Sequence, residues 1–119
     1  VCADPADLRE LEREAEVFGT AACSHHFYSE ANYHEFVAKG VSKGSMLEAI
    51  RKMPVFSQTK IIALGDYLND RELLEAADIG IASGNAHDEL KALADFTGCR
   101  AEDDLIVWLL EHFACLMGK

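Results

Sequence analysis

Lys60-Ile61-Ile62-Ala63-Leu64-Gly65-Asp66-Tyr67-Leu68-Asn69-Asp70 is the stretch that decides the fold. Its apolar run stops at Gly65, turns acidic, and passes into Arg71-Glu72-Leu73-Leu74-Glu75-Ala76-Ala77, a run of strong helix formers. An apolar run bounded by a turn and followed by a helix fits a strand buried on both faces of a parallel sheet. Sheets of that kind bind ligands just beyond the carboxyl ends of their strands. Asp66, Asn69 and Asp70 fall at that edge. Two carboxylates and an amide gathered there predict a site for a hard cation or a phosphate.

The flanking segments repeat the same rhythm. Upstream, Ser42 caps a predicted helix carrying Met46, Leu47 and Ile50, which Pro54 ends. Downstream, a helix begins near Asn69, where Asn69 and Glu72 have the spacing of a capping box. Ile79-Gly80-Ile81-Ala82 reads as a second short buried strand, Asn85 as the cap of a helix through Leu90 and Leu93. A last helix, from about Glu102 to Met117, carries Leu105, Ile106, Trp108, Leu109 and Phe113. Helix and strand in alternation imply βαβ units and a parallel sheet, an α/β fold. Two strands are too few for such a sheet to stand alone. The expectation is the back half of a doubly wound, Rossmann-like sheet with helices on its faces, over residues 41–119.

Residues 1–40 follow another pattern. Asp4-Pro5 opens a helix with Leu8, Leu11, Ala15 and Phe18 at helical spacing, and Gly19 stops it. Thr20 to Tyr28 and Tyr33 to Ala38 read as strands joined by Ser29-Glu30-Ala31-Asn32, a hairpin. This is the tail of a smaller module. The chain opens with Val1 and goes straight into a helix, as expected of a piece of something longer.

Composition bounds the function classes. The 119 residues carry a formal charge of -10, which argues against nucleic-acid or anionic-membrane surfaces, since these are held by clustered Lys and Arg. No apolar stretch approaches the roughly 20 residues needed to cross a bilayer, and no signal peptide opens the chain. Cys2, Cys23, Cys99 and Cys115 are scattered without a C-x-x-C pair. They read as reduced thiols, and a cytoplasmic location is the default.

Three blocks then make the chain recognisable: Val41-Ser42-Lys43-Gly44, Gly65-Asp66-Tyr67-Leu68-Asn69-Asp70, and Gly80-Ile81-Ala82-Ser83-Gly84-Asn85-Ala86 with Lys91 and Ala94. In order and spacing from Val41 to Asp95 the chain resembles the haloacid dehalogenase (HAD) superfamily, above all its Cof-type phosphatases. The resemblance implies that residues 1–40 are the end of the large α+β cap. It implies a Mg2+-dependent phosphatase acting on small phosphorylated metabolites through an aspartyl-phosphate. Lys43 would contact the phosphoryl group and the nucleophile, Asp66 would ligate Mg2+, and Asp70 would steady the metal shell. Asn69 would contact the substrate phosphate. The family's nucleophile motif, D-x-D-G-T after the first strand, is not in this sequence. Asp95-Phe96-Thr97-Gly98 lacks the second acid, and Asp103-Asp104 follows no strand. The nucleophile is therefore expected outside this chain, which alone should be inactive. Relatives often have glycine where this chain has Asp104.

Two rival readings stand beside the phosphatase. A truncated, non-catalytic relative would use its unpaired sheet edge for assembly, docking the missing N-terminal part of the same protein or a second copy. A phosphomutase of the same superfamily would share the core chemistry. Cys23, His25 and His26 make a poor metal site, because no fourth ligand is evident. His34, His87 and His112 are isolated and expected to be exposed or partly packed. Trp108 reads as core.

Overall fold

The computed structural model describes residues 2–18, 25–30 and 32–117. Its elements are α1 (Pro5–Phe18), β1 (His25–Glu30), β2 (Tyr33–Val37), α2 (Lys43–Arg51), β3 (Ile62–Gly65), α3 (Arg71–Ala76), β4 (Ile79–Ala82), α4 (Asp88–Leu93), β5 (Phe96–Thr97) and α5 (Leu105–Met117). Short 3-10 turns lie at Leu68–Asp70 and Ala101–Asp103.

The core is a parallel three-stranded sheet in the order β3-β4-β5. The apolar runs hide an alternation of size. Ile62, Leu64, Ile79 and Ile81 pack on Leu109, Phe113 and Trp108 of α5. The intervening small residues, Ala63, Gly65, Gly80 and Ala82, face the other way. There Leu74 of α3, with Ala86 and Leu90, closes over Ala82. A Cβ on Gly80 would lie 2.9 Å from Leu74 Cδ2, so small residues on this face let α3 approach the sheet closely. Both faces are covered, as buried parallel sheets require. Each fully buried Ile or Leu contributes about 1.5–3 kcal/mol.

β5 was not legible as a strand: it has only two residues, both exposed. It nevertheless pairs with Ile81 and Ala82 and extends the sheet past the two strands expected. Asp95 serves this junction, its carboxylate accepting from the Gly80 N–H at 2.8 Å. Asp104, just before α5, sits at φ 58°, in the left-handed region. Glycine enters that region without steric cost, so the backbone itself accounts for the expected preference at this position.

The N-terminal module pairs β1 antiparallel with β2, Tyr28 opposite His34. The first strand runs on to Glu30, so the expected four-residue connection is shorter. Thr20 to Ser24, and Cys23 among them, lie outside the described residues. His34 departs from expectation: it is fully buried, sandwiched between the Tyr28 and Phe36 rings at centroid distances of 4.4 and 4.7 Å. α1 adds the fully buried Leu8 and a hydrogen bond from the Tyr28 hydroxyl to Glu12 at 3.1 Å. Burial, then that bond and the Glu12 charge, raise the Tyr28 pKa, so the hydroxyl keeps its proton. β1 packs beside the Leu68–Asp70 turn, which brings this module to the sheet's carboxyl edge.

Candidate functional site

α2 delivers Lys43. Ser42 and Ser45 form a reciprocal capping box, Ser45 N–H donating to Ser42 Oγ at 3.1 Å and Ser42 N–H to Ser45 Oγ at 2.9 Å. Lys43 is thus the first helical residue. Gly44 then lets α2 meet α3: a Cβ there would lie 2.5 Å from the Glu72 carbonyl oxygen. That approach sets the Lys43 ammonium on Asp70, with which it forms an ion pair.

β3 delivers Asp66, and Asp70 folds back over the strand end. Gly65 makes this possible, since a Cβ at that position would lie 2.6 Å from Asp70 Cβ. Asp70 is buried at 4% exposure, and its two oxygens are both engaged. Oδ1 accepts from Lys43 Nζ and Oδ2 from the Asp66 N–H at 3.0 Å. On its other side the Asp66 carbonyl accepts from the His87 N–H at 2.9 Å. Asp66 is therefore held by its backbone, and its side chain stays exposed.

Lys43, Asp66 and Asp70 line one open cavity of about 300 Å³ with Gly65, Ser83, Ala101 and Leu105. Asn69 is not on that wall. It belongs to the 3-10 turn, and the capping box expected of it does not form: Asp70 precedes α3, with no side-chain cap bond. The inserted turn moves the cap position from Asn69 to Asp70 and the helix start to Arg71. Asn85 is likewise not the cap of α4. His87 is, its Nδ1 accepting from the Glu89 N–H at 3.3 Å. Asn85 Oδ1 instead accepts from the Ala101 N–H at 2.9 Å, tying down the loop that closes the cavity.

His87 is the residue sequence reasoning missed. Its ring meets Tyr67 edge-on at 5.4 Å, and both border a second cavity of about 410 Å³ with Arg9, Glu12, Tyr28 and Leu68. The pairing of Tyr67 with His87 depends on β3–β4 register, which no local pattern encodes. His112 is exposed, stacked on Trp108 at 4.5 Å.

No cluster of three His, Cys, Asp or Glu side chains that could hold a metal occurs among the described residues. The cavity wall carries carboxylate oxygens and neither thiol nor imidazole. This donor set fits a hard cation such as Mg2+, which commonly takes one or two carboxylates and completes its shell with phosphate and water. Among the described residues no helix is long and apolar enough to cross a membrane.

An open parallel sheet with an acidic pair and a lysine at its carboxyl edge defines an α/β domain with charged groups at the edge where such sheets bind ligands. The family follows from direct comparison. Residues 1–110 match the model of the haloacid dehalogenase-like hydrolases, and the chain belongs to that family. It is 32% identical over 84 residues to phosphatase YwpJ of Bacillus subtilis, covering 71% of this chain and 29% of that one. It is 36% identical over 74 residues to pyridoxal phosphate phosphatase YbhA of Escherichia coli, covering 61% and 27%. A haloacid dehalogenase-like hydrolase structure from B. subtilis superposes with TM-score 0.76 at 28% identity, over 87% of this chain and 36% of that one. The chain thus spans under a third of the length of either curated relative. The HAD-type fold expected from the sequence is the observed one, and both curated relatives are phosphatases by name.

Proposed function

We infer that this chain supplies the cation- and phosphoryl-binding half of a Mg2+-dependent phosphatase acting on small phosphorylated metabolites. The observation that carries this reading is the chain of contacts Lys43–Asp70–Asp66: an ammonium, a buried carboxylate and an exposed carboxylate on one cavity. Asp66 is the direct metal ligand. Asp70, whose oxygens already accept from Lys43 and the Asp66 backbone, acts behind it, fixing both and bonding metal-held water with its remaining lone pairs. Lys43 is half exposed, so its ammonium is available to a phosphoryl oxygen as well as to Asp70.

When bound, Mg2+ would neutralise charge on the phosphoryl oxygens. Lys43 adds a second positive charge from the amino end of α2, where the helix dipole also favours an anion. Phosphoryl transfer needs chiefly this positioning and charge neutralisation. The attacking aspartate, which would take the phosphoryl group as an aspartyl-phosphate before water releases it, comes from outside this chain. Of the acids weighed from the sequence, Asp95 is bound to the Gly80 N–H and Asp103 belongs to a 3-10 turn.

The natural seat for the nucleophile's strand is the free edge of β3, which pairs with β4 alone among the described strands. A second copy of this chain is the competing occupant of that edge. Asn69 lies on the turn between the two cavities, and we assign it to the substrate phosphate. The 410 Å³ cavity is of the size that takes a small ligand's organic part. YbhA is by its name a phosphatase of pyridoxal phosphate, a small phosphate ester. A cytoplasmic setting accords with such substrates.

The test is the full-length protein against an aryl phosphate with and without Mg2+. Asp66→Asn should remove turnover while leaving stability within about 0.5 kcal/mol, because the side chain is exposed. An Asp66→Asn enzyme that still turns over, or a wild type indifferent to chelation, would overturn the reading.

A further inference from the structure

One polar side chain on the 300 Å³ cavity has no role in the proposed function. Ser83 is 0% exposed, and its Oγ has no hydrogen-bond partner among the described residues. A buried hydroxyl left this way costs about 1–3 kcal/mol. Its surroundings show where a partner would come from. β3 and β4 run in parallel register with Gly65 opposite Ala82, and the Ser83 N–H bonds the Gly65 carbonyl at 2.9 Å. Register thus continues one residue past both strands, making Ser83 the cross-strand neighbour of Asp66. By alternation both leave the sheet on the face of Ile62, Leu64, Ile79 and Ile81. On that side Ala101 and Leu105 complete the wall, and neither side chain can hydrogen-bond. The partner must be something the cavity holds. Its volume has room for several waters, at about 30 Å³ each.

We propose that Ser83 is a positioning residue for the hydrated cation: a water in the metal's shell donates a hydrogen bond to Ser83 Oγ, beside the Asp66 carboxylate that ligates the metal. The inference rests on the metal reading of the proposed function. Mg2+ keeps several of its waters when protein-bound. A metal-held water has its lone pair directed at the ion, so it can only donate to the protein. A serine oxygen next to the one ligating carboxylate is a suitable acceptor. Sidelong bonds of this type orient a shell that one carboxylate alone would leave free to turn.

Calorimetric titration of the full-length protein with MgCl2, for the wild type, Ser83→Ala and Asp66→Asn, separates the possibilities. Ser83→Ala should weaken Mg2+ binding about tenfold, the low end for loss of an outer partner. Its melting temperature without metal should be unchanged or higher, because the orphan hydroxyl is gone. Ser83→Ala binding Mg2+ within twofold of wild type, while Asp66→Asn does not bind, would overturn this inference and leave the metal reading intact. A lowered metal-free melting temperature with unchanged affinity would make Ser83 a packing residue and also overturn it. Unchanged Mg2+ affinity with weakened inorganic phosphate binding would assign the hydroxyl to the anion instead. A wild type that binds Mg2+ no better than Asp66→Asn would overturn both readings together.

Discussion

Gly65→Ala is the substitution on which fold and site are most tightly joined. The added methyl would lie 2.6 Å from Asp70 Cβ and 2.7 Å from Leu74 Cδ1. Leu74 is itself buried in the cluster with Ala82 and Leu90, so its end has little room to yield. Asp70 Cβ is one bond from the backbone of a 3-10 turn, so relief must come from moving that turn. Overpacking of this kind costs about 1–3 kcal/mol. Moving Asp70 also stretches the Asp66 N–H bond, now 3.0 Å, and the Lys43 pair. Bonds to charged groups contribute about 1.5–3 kcal/mol. Only the first counts nearly in full, because the Lys43 side chain is 49% exposed and its charge is screened. The sum is a destabilisation of about 2.5–6 kcal/mol. It should appear in urea unfolding as a fall in midpoint at constant slope. In an Asp70→Ala background the bonds are already gone, and Gly65→Ala should cost only the overpacking, a coupling of about 1.5–3 kcal/mol. A Gly65→Ala chain within 0.5 kcal/mol of wild type, or costs that add without coupling, would refute the reasoning.

Two further outcomes are expected away from the site. The Asp78 carboxylate accepts from the Ile61 N–H at 2.7 Å and from Arg51 at 2.9 Å, and these bonds, the backbone one foremost, lower its pKa. Its stabilisation is therefore complete above the unfolded carboxylate's pKa of about 3.9 and is lost as pH falls through the lower folded value. Asp78→Asn should flatten the acid limb of stability below about pH 4; an unchanged limb in urea midpoints taken across that range would show that these bonds do not hold in solution. Asp104→Gly should stabilise the chain by about 0.5–1 kcal/mol, since only the φ of 58° opposes the present residue. Calorimetry showing a lower melting temperature would point to a side-chain role for Asp104.

The parts of this molecule written in local pattern were legible, and the parts written in register were not. Ser42 as cap, β3, β4 and α5 each follow from a run of residues whose period or punctuation is self-contained. Lys43, Asp66 and Asp70 were named from sequence and converge on one cavity, yet why they converge rests on Gly44 and Gly65, whose contacts are with other elements. Asn69 and Asn85 failed as caps for a shared reason: cap spacing presumes that the helix starts at once, and each is followed by residues that delay it. Their places went to Asp70 and His87. His34 was misjudged because a lone histidine carries no sign of its neighbours, and only the pairing of β1 with β2 sets it between Tyr28 and Phe36. β5 is too short to have a period at all.

The two aspartates of the turn divide one problem between them. A metal ligand must present free oxygens at a fixed place, but a carboxylate fixed through its own oxygens has fewer left to offer. Here the fixing is moved to the backbone: Asp70 holds the Asp66 N–H, and the His87 N–H holds the Asp66 carbonyl. The Asp66 side chain is left exposed at the end of a strand whose inner face is packed on α5. Asp70 in turn is held in place by its ion pair with Lys43, so the cation assigned to the phosphoryl group in the proposed function also anchors the acid that anchors Asp66. Loss of Asp66 should therefore cost function without stability, whereas loss of Asp70 costs both, and the difference between the two variants measures how much of the site is also scaffold.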